Sequence, residues 1–444
     1  MLMDKNTAFE MDQPEKRDGH LRRLIGAKFV RCSVPPGLRF GGAMLQFFAT
    51  VLIARTLGEG RSGEFFFWSA VLMSFGQVAT FGMDKLALRE IPRLDGNVRA
   101  QASFLAPVRG IAIILALMIG FLFALYALVM QAEIERSIAW FALLPACLVG
   151  VALCRINGEA MKGMGRPVLG VLYRHVAATS VYVLMLLIFG SILNPEIALA
   201  CLTAGFLVVG IGALRGPGFS GLSPSLRLPR RDDFRSKILL GLPICASAAF
   251  TSFAFIVPLA ILERWHDSSD VAYLTTSYRM FMLFEVLGLA VYSISMPQLS
   301  RSAHAADWHL TGRVYRGSIH HGLMILGLPV MVAIIFAEPL MTLFGDGFVD
   351  AAPVLRMLLV FRLISLLFGP AEDLILMVGH TGKLASFACA RLGATVLAAP
   401  FVVPAFGPIG MAAIIGIGLL LQKSLCLWHF KKISAGRADG RRGS

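Results

Sequence analysis

Runs of about 20 apolar residues recur along this chain from Val34 to near its end, and one such run is what a hydrocarbon core of about 30 Å requires of a single helix. Twelve of them fall at about 36–57, 64–84, 104–130, 138–157, 167–190, 196–214, 238–262, 271–296, 317–337, 353–375, 384–405 and 408–429. Helices are required, because backbone in lipid must satisfy its own hydrogen bonds and these runs are too long and continuous for barrel strands. Composition agrees: 57% of the chain is hydrophobic and only 15% charged, against about 25% charged in soluble proteins. The expectation is an all-α polytopic membrane protein. Soluble, disordered, collagenous and disulfide-scaffold classes are excluded.

Lys and Arg fix an orientation. The connections on one side, together with both terminal segments, hold 29 of them, whereas the other side has only Arg61, Arg136 and Arg264. The rich side is expected to be cytoplasmic, with both termini inside. Trp68, Trp140, Trp265 and Trp428 lie at span ends, where an amphipathic ring is favoured, while Trp308 falls in a cytoplasmic loop. Residues 1–35 read as a partly disordered cytoplasmic tail rather than a cleavable signal, because residues 1–31 are polar and mixed in charge.

The chain divides into halves. Residues 215–237 form the longest basic connection and contain Pro217, Pro224 and Pro229. They separate a six-helix lobe at 36–214 from a second at 238–430, followed by a basic tail at 431–444. Gly165-Arg166 and Gly382-Lys383 open the fifth and eleventh spans, and at the same offset Arg174 falls on Arg391. An even number of helices per half makes this a parallel repeat about an axis along the membrane normal.

A net charge of +14 does not imply nucleic acid here. Basic residues collect in loops facing anionic membrane lipids, and no basic-aromatic patch accompanies them. The seven cysteines are scattered, with no CxxC, so no metal site or disulfide framework is expected. Gly58-Glu59-Gly60-Arg61-Ser62-Gly63 matches GxGxxG, but it joins two membrane helices and reads as a tight turn. Walker A, HExxH and GxSxG sequences are absent, so neither a cofactor nor bond-making chemistry is expected.

Charges within the spans are informative, because a buried guanidinium costs about 2.5–3.5 kcal/mol on insertion scales and must face protein or water. Arg39, Arg174, Arg279, Arg362 and Arg391 lie inside spans, as does Glu285 near the middle of the eighth. Tyr278, Glu285 and Tyr292 are spaced by seven on one face of that span, flanked by Thr275 and Arg279. His175, Thr179 and Tyr182 form a weaker stripe on the fifth. Two readings fit. The arginines could line a cavity between the lobes that takes an anionic substrate, since guanidinium grips phosphate through two parallel hydrogen bonds. They could instead form interhelical pairs such as Arg279–Glu285 or Arg362–Glu372.

Several short motifs carry a resemblance. Ile53-Ala54-Arg55-Thr56-Leu57-Gly58 with Gly63-Glu64-Phe65, Phe81-Gly82-Met83 leading to Leu88-Arg89-Glu90, and Gly163-Met164-Gly165-Arg166 are three of them. Met296-Pro297-Gln298-Leu299-Ser300-Arg301 and Leu343-Phe344-Gly345 with Phe348 and Ala351-Ala352 are two more. Together they resemble the polysaccharide flippases of the multidrug/oligosaccharidyl-lipid/polysaccharide exporter superfamily, over about residues 36–430. The resemblance implies two six-helix lobes around a cationic central cavity. It also implies alternating-access transfer of an undecaprenyl-pyrophosphate-linked oligosaccharide across the bacterial inner membrane, beside a polysaccharide polymerase and glycosyltransferases. On this view Arg39, Arg174, Arg279, Arg362 and Arg391 bind substrate, Glu285 pairs with them or couples an ion, and Thr275, Tyr278 and Tyr292 line the path. The alternatives are a drug/cation antiporter, which would depend on Glu285, and a lipid II flippase, from which a count of twelve rather than fourteen helices departs.

Overall fold

The computed structural model describes residues 14–440 apart from 95–96, 131–133, 216–230, 294, 306 and 379, with side chains described over 37–433 except at these positions, 126–140, 215–236 and scattered residues of 239–251, 290–304 and 381. Most of the basic linker at 215–237 lies outside the described residues, as do residues 1–13 and 441–444 and the side chains of Arg136 and Trp140.

Fifteen α-helices follow one another: α1 Pro14–Ala79, α2 Met83–Glu90, α3 Val98–Met130, α4 Ile134–Gly163, α5 Pro167–Val171, α6 Ala178–Phe189, α7 Pro195–Gly212, α8 Arg231–Trp265, α9 Ser268–Ser293, α10 Met296–His304, α11 Trp308–Ile335, α12 Ala337–Met341, α13 Ala352–Leu366, α14 Ala371–Met377 and α15 Thr381–Gly440. Helix α1 begins at Pro14, well inside the segment expected to be a tail. No strand occurs among the described residues.

Among the described residues, seven stretches are long and apolar enough to cross a bilayer, and α13 with α14 completes an eighth across a 48° bend. Two of the seven, 37–79 and 382–433, are hairpins rather than single spans. The first turns at Gly58, whose φ of 72° and ψ of 179° break the helix. It brings Arg39 beside Lys85 at one end of the bundle. The second turns at Gly407 (φ 52°, ψ −137°) and brings Thr395 beside Ile415. Helices α8 and α9, 35 and 26 residues long, also have the length of a crossing. Splitting the hairpins then gives twelve arms in chain order, consistent with the expected count. The bundle therefore has a basic end, carrying Arg39, Lys85 and Lys162, and a bend end, carrying Gly58 and Gly407.

Small residues set the helix contacts, as expected where lipid supplies no hydrophobic drive between helices. A Cβ on Gly120 would lie 2.4 Å from Pro145, and one on Gly150 2.7 Å from the Leu207 nitrogen, so α3 and α7 both meet α4 at backbone distance. In the second half Gly416 instead makes room for the Phe361 ring. Large side chains point outward in a continuous coat, including Leu122, Leu187, Leu328, Leu397 and Phe401, the last 83% exposed. That is the surface of a protein bathed in lipid. The helices of each half pack mainly on one another, and the halves meet chiefly where α1 lies along α9 and α8.

Candidate functional site

At the basic end, α4 carries Arg155, Glu159 and Lys162 on one side through spacings of four and three. Phe81 and Gly82, both in the left-handed region (φ 48° and 73°), reverse the chain after α1. Helix α2 thereby lays Asp84 and Lys85 against α4. Asp84 takes Arg155 at 3.1 Å. Glu159, 1% exposed, receives three cations: Lys162 at 2.9 Å, Lys85 at 3.5 Å, and the Arg174 guanidinium. Arg174 lies on a π-helical turn, Leu172–Ala177, between α5 and α6, a local widening frequent at functional sites. Its Cβ rests over Gly158, where an added methyl would come within 2.9 Å.

Above these groups opens a cavity of about 380 Å³ that Arg39, Leu88 and His175 also line. Counting Arg39, Lys85, Arg155, Lys162 and Arg174 against Asp84 and Glu159, cations exceed acids by three. Burial, then the neighbouring Arg174, lowers the Lys85 amine below the ordinary lysine range. The basin thus holds a standing surplus of positive charge beside open volume, which is the electrostatic form of an anion site.

The remaining sequence candidates sit elsewhere. Arg279 reaches from α9 into a small pocket with Gln46, Thr50, Ser69 and Tyr182 of the first half. Arg362, 2% exposed, donates to the Glu285 carboxylate at 2.5 Å, to the Phe284 carbonyl at 3.1 Å and to Ser365 Oγ at 3.4 Å. Neither pair considered from the sequence forms: Glu285 goes to Arg362, not Arg279, because α13 brings Arg362 against α9 where Gly288 leaves room for its guanidinium. Arg391 lines a third space of about 160 Å³ with Thr395 and Tyr278. The Tyr278 ring stacks on Phe255 at 4.4 Å and on Phe281 at 5.6 Å. Thr275 and Tyr292 are buried on the same helix, their hydroxyls without a hydrogen-bond partner among the described residues. The structure therefore brings Arg39 and Arg174 together and leaves Arg279, Arg362 and Arg391 at three separate places.

At the bend end the halves touch around a cavity of about 590 Å³ lined by Arg55, Glu59, Asp346 and Phe348. Arg55 donates to the Leu343 carbonyl at 2.8 Å, Tyr273 donates to Glu59, and Phe47 meets Phe344 edge-on at 5.4 Å. Glu263, just past the seventh span, is raised to about 7 by burial and by Glu64 facing it from α1.

Sequence reasoning passed over Asp84, Lys85, Glu159, Lys162, Glu59 and Tyr273. The Arg155–Glu159–Lys162 spacing was a usable signal, since charges four and three apart at a span end share a helix face. No group of three or more His, Cys, Asp or Glu residues suited to a metal occurs among the described residues.

Comparison with known structures gives the fold. The chain superposes on an inward-facing multidrug resistance transporter of the MATE family in the MOP superfamily with a TM-score of 0.66 at 16% identity, covering 92% of this chain and 98% of that one. It matches the lipid II flippase MurJ in an inward closed conformation with a TM-score of 0.72 at 11% identity, covering 89% and 86%. A MOP superfamily transporter from Pyrococcus furiosus, described as having a binding pocket of reverse polarity, matches with a TM-score of 0.59 at 18% identity over 91% and 95%. Among curated proteins no sequence match was found. The family model for polysaccharide biosynthesis proteins matches residues 38–302, more than half of the chain. The chain thus belongs to the polysaccharide biosynthesis protein family and is a multi-pass membrane protein whose fold is that of the transporters above.

Proposed function

We propose that this transporter moves a lipid-linked oligosaccharide repeat unit, carried on undecaprenyl pyrophosphate, from the cytoplasmic to the periplasmic leaflet of a bacterial inner membrane. The lobes at 36–214 and 238–430 rock against each other. The basic end faces the cytoplasm, with both termini there, and supplies the anion-attracting mouth; the bend end faces the periplasm. The carrying observation is the unbalanced basin around Arg174, where three cations share one carboxylate beside an open cavity. A diphosphate is the anion such a mouth favours, because guanidinium and ammonium groups at several heights contact two phosphoryl groups at once. Arg279, Arg391 and the Tyr278 stack would line the onward path, with Thr275 and Tyr292 beside it. Arg362 and Glu285 would hold the second lobe together. A polymerase and glycosyltransferases that build and consume the repeat unit are the expected partners.

The test is export of surface polymer in cells that depend on this chain. Arg174→Ala and Arg279→Ala should each abolish export with membrane levels unchanged; normal export from both would remove an Arg-lined path. Loss of peptidoglycan synthesis instead would assign the cargo as lipid II. A drug/cation antiporter would need a carboxylate free for its substrate, and Glu285 is held by Arg362. Resistance to cationic dyes lost on Glu285→Gln would favour that function.

A further inference from the structure

Glu159 stands on the floor of the basin, its side chain 2% exposed, beneath Lys85, which is 48% exposed. A carboxylate there is unexpected in a site for anions, since it repels what the surrounding cations attract. Arg155 is already matched by Asp84 at 3.1 Å, so four cations, Arg39, Lys85, Lys162 and Arg174, remain around the cavity. Three of them contact Glu159.

The commonest anions at a membrane surface are phospholipid head groups with one phosphodiester and one negative charge. Without Glu159, four unmatched cations would retain such a head group as a permanent counter-ion. With Glu159 present, a singly charged phosphate reaching Arg174 and Lys162 only replaces one negative charge by another. It also strips the buried Glu159 carboxylate of two of its three cations, leaving only Lys85 at 3.5 Å, which is unfavourable. A diphosphate carries enough charge to engage Arg39, Lys85 and Arg174 around the cavity while Glu159 keeps Lys162.

We infer that Glu159 is a specificity-determining residue, a built-in anion equivalent to one phosphodiester, that bars ordinary phospholipid head groups from the basin and admits diphosphates. Discrimination of this kind comes from penalising the wrong partner as much as from rewarding the right one. The inference rests on the proposed anion-binding role of the basin.

The test uses the full chain purified in detergent without anionic lipid. Two probes are titrated: short-chain phosphatidylglycerol, with one phosphodiester, and farnesyl diphosphate. Wild type should prefer the diphosphate by at least about tenfold, and Glu159→Gln should cut the preference below about threefold by tightening phosphatidylglycerol. Glu159→Asp keeps the charge and should keep the wild-type ratio. If Glu159→Gln does not elute as a monodisperse species, the double variant Glu159→Gln with Lys162→Gln removes the carboxylate together with one of its cations. It carries the same expected collapse. An unchanged ratio in a folded Gln variant, a collapse in the Asp variant, or a wild-type ratio near one overturns the inference and leaves the anion site standing. Wild type binding neither probe removes the anion site itself, and the inference with it.

Discussion

Two regions of this molecule use the same residues to opposite ends. In the basin at the basic end, Arg174 shares Glu159 with Lys162 and Lys85, and positive charge is left over. Inside the second half, Arg362 and Glu285 match one to one. A backbone carbonyl and Ser365 take further guanidinium hydrogens, and Arg362 is 2% exposed. The bend end resembles the second case: Arg55 is spent on a carbonyl and Glu59 on a tyrosine. Balanced charge holds the protein to itself, whereas surplus charge is left for a guest. The count of partners for each charge distinguishes the two.

The contrast can be broken most forcefully at Arg362. Arg362→Ala leaves Glu285 with no countercharge and should cost about 3–5 kcal/mol of stability, read as lost folded yield and a lower Tm in detergent. Adding Glu285→Ala should restore part of it, as expected for a coupled pair. Arg174 should behave differently. Arg174→Lys keeps the charge but not the planar fork, so folded yield should hold while diphosphate affinity falls about tenfold, the difference between bidentate and point-charge contact. If Arg174→Lys unfolds the protein and Arg362→Ala does not, the assignment of roles is reversed.

Smaller effects belong to the bend end. Tyr273→Phe removes the hydrogen bond to Glu59, worth about 1.5–3 kcal/mol to a charged acceptor. It should raise the labelling rate of a cysteine placed at Gly347, beside Glu59. The smallest expected effect is on pH dependence. Glu263 is held near 7 in the closed arrangement, above the usual 4.5 of an exposed glutamate. Between those values the closed form binds more protons than an open form in which Glu263 meets water. Closure should therefore weaken as pH rises from about 4.5 to about 7 and level off above, read as inter-lobe distance between spin labels. Glu263→Gln should flatten that dependence.

Much of this was legible in the chain, and the rest was not for identifiable reasons. Apolar run length located the spans, because a bilayer imposes it residue by residue. The breaks at Gly58 and Gly407 were legible too, on different signals. Gly58 lies in a glycine-rich connection and was legible as a turn, whereas Gly407 sits between Pro404 and Pro408 in a run that remains apolar. Arg174 was visible because a charge within an apolar stretch stands out. Glu159 was not, because it lies past the apolar run that ends near residue 157, while α4 continues to Gly163. Nothing in local sequence reports that α2 folds back to bring Lys85 onto that helix. Nor does it report that Arg362 and Glu285, 77 residues apart, meet.

One contact at the bend end involves no side chain on either partner. A Cβ on Gly63 would lie 1.7 Å from the carbonyl oxygen of Ser268 and 2.6 Å from its carbon, so no rotamer could relieve the overlap. Gly63→Ala would then act as a doorstop, holding the two halves ajar at that edge and shifting the resting population toward the opposite pose. A single methyl group would in this way bias which of two poses the halves hold.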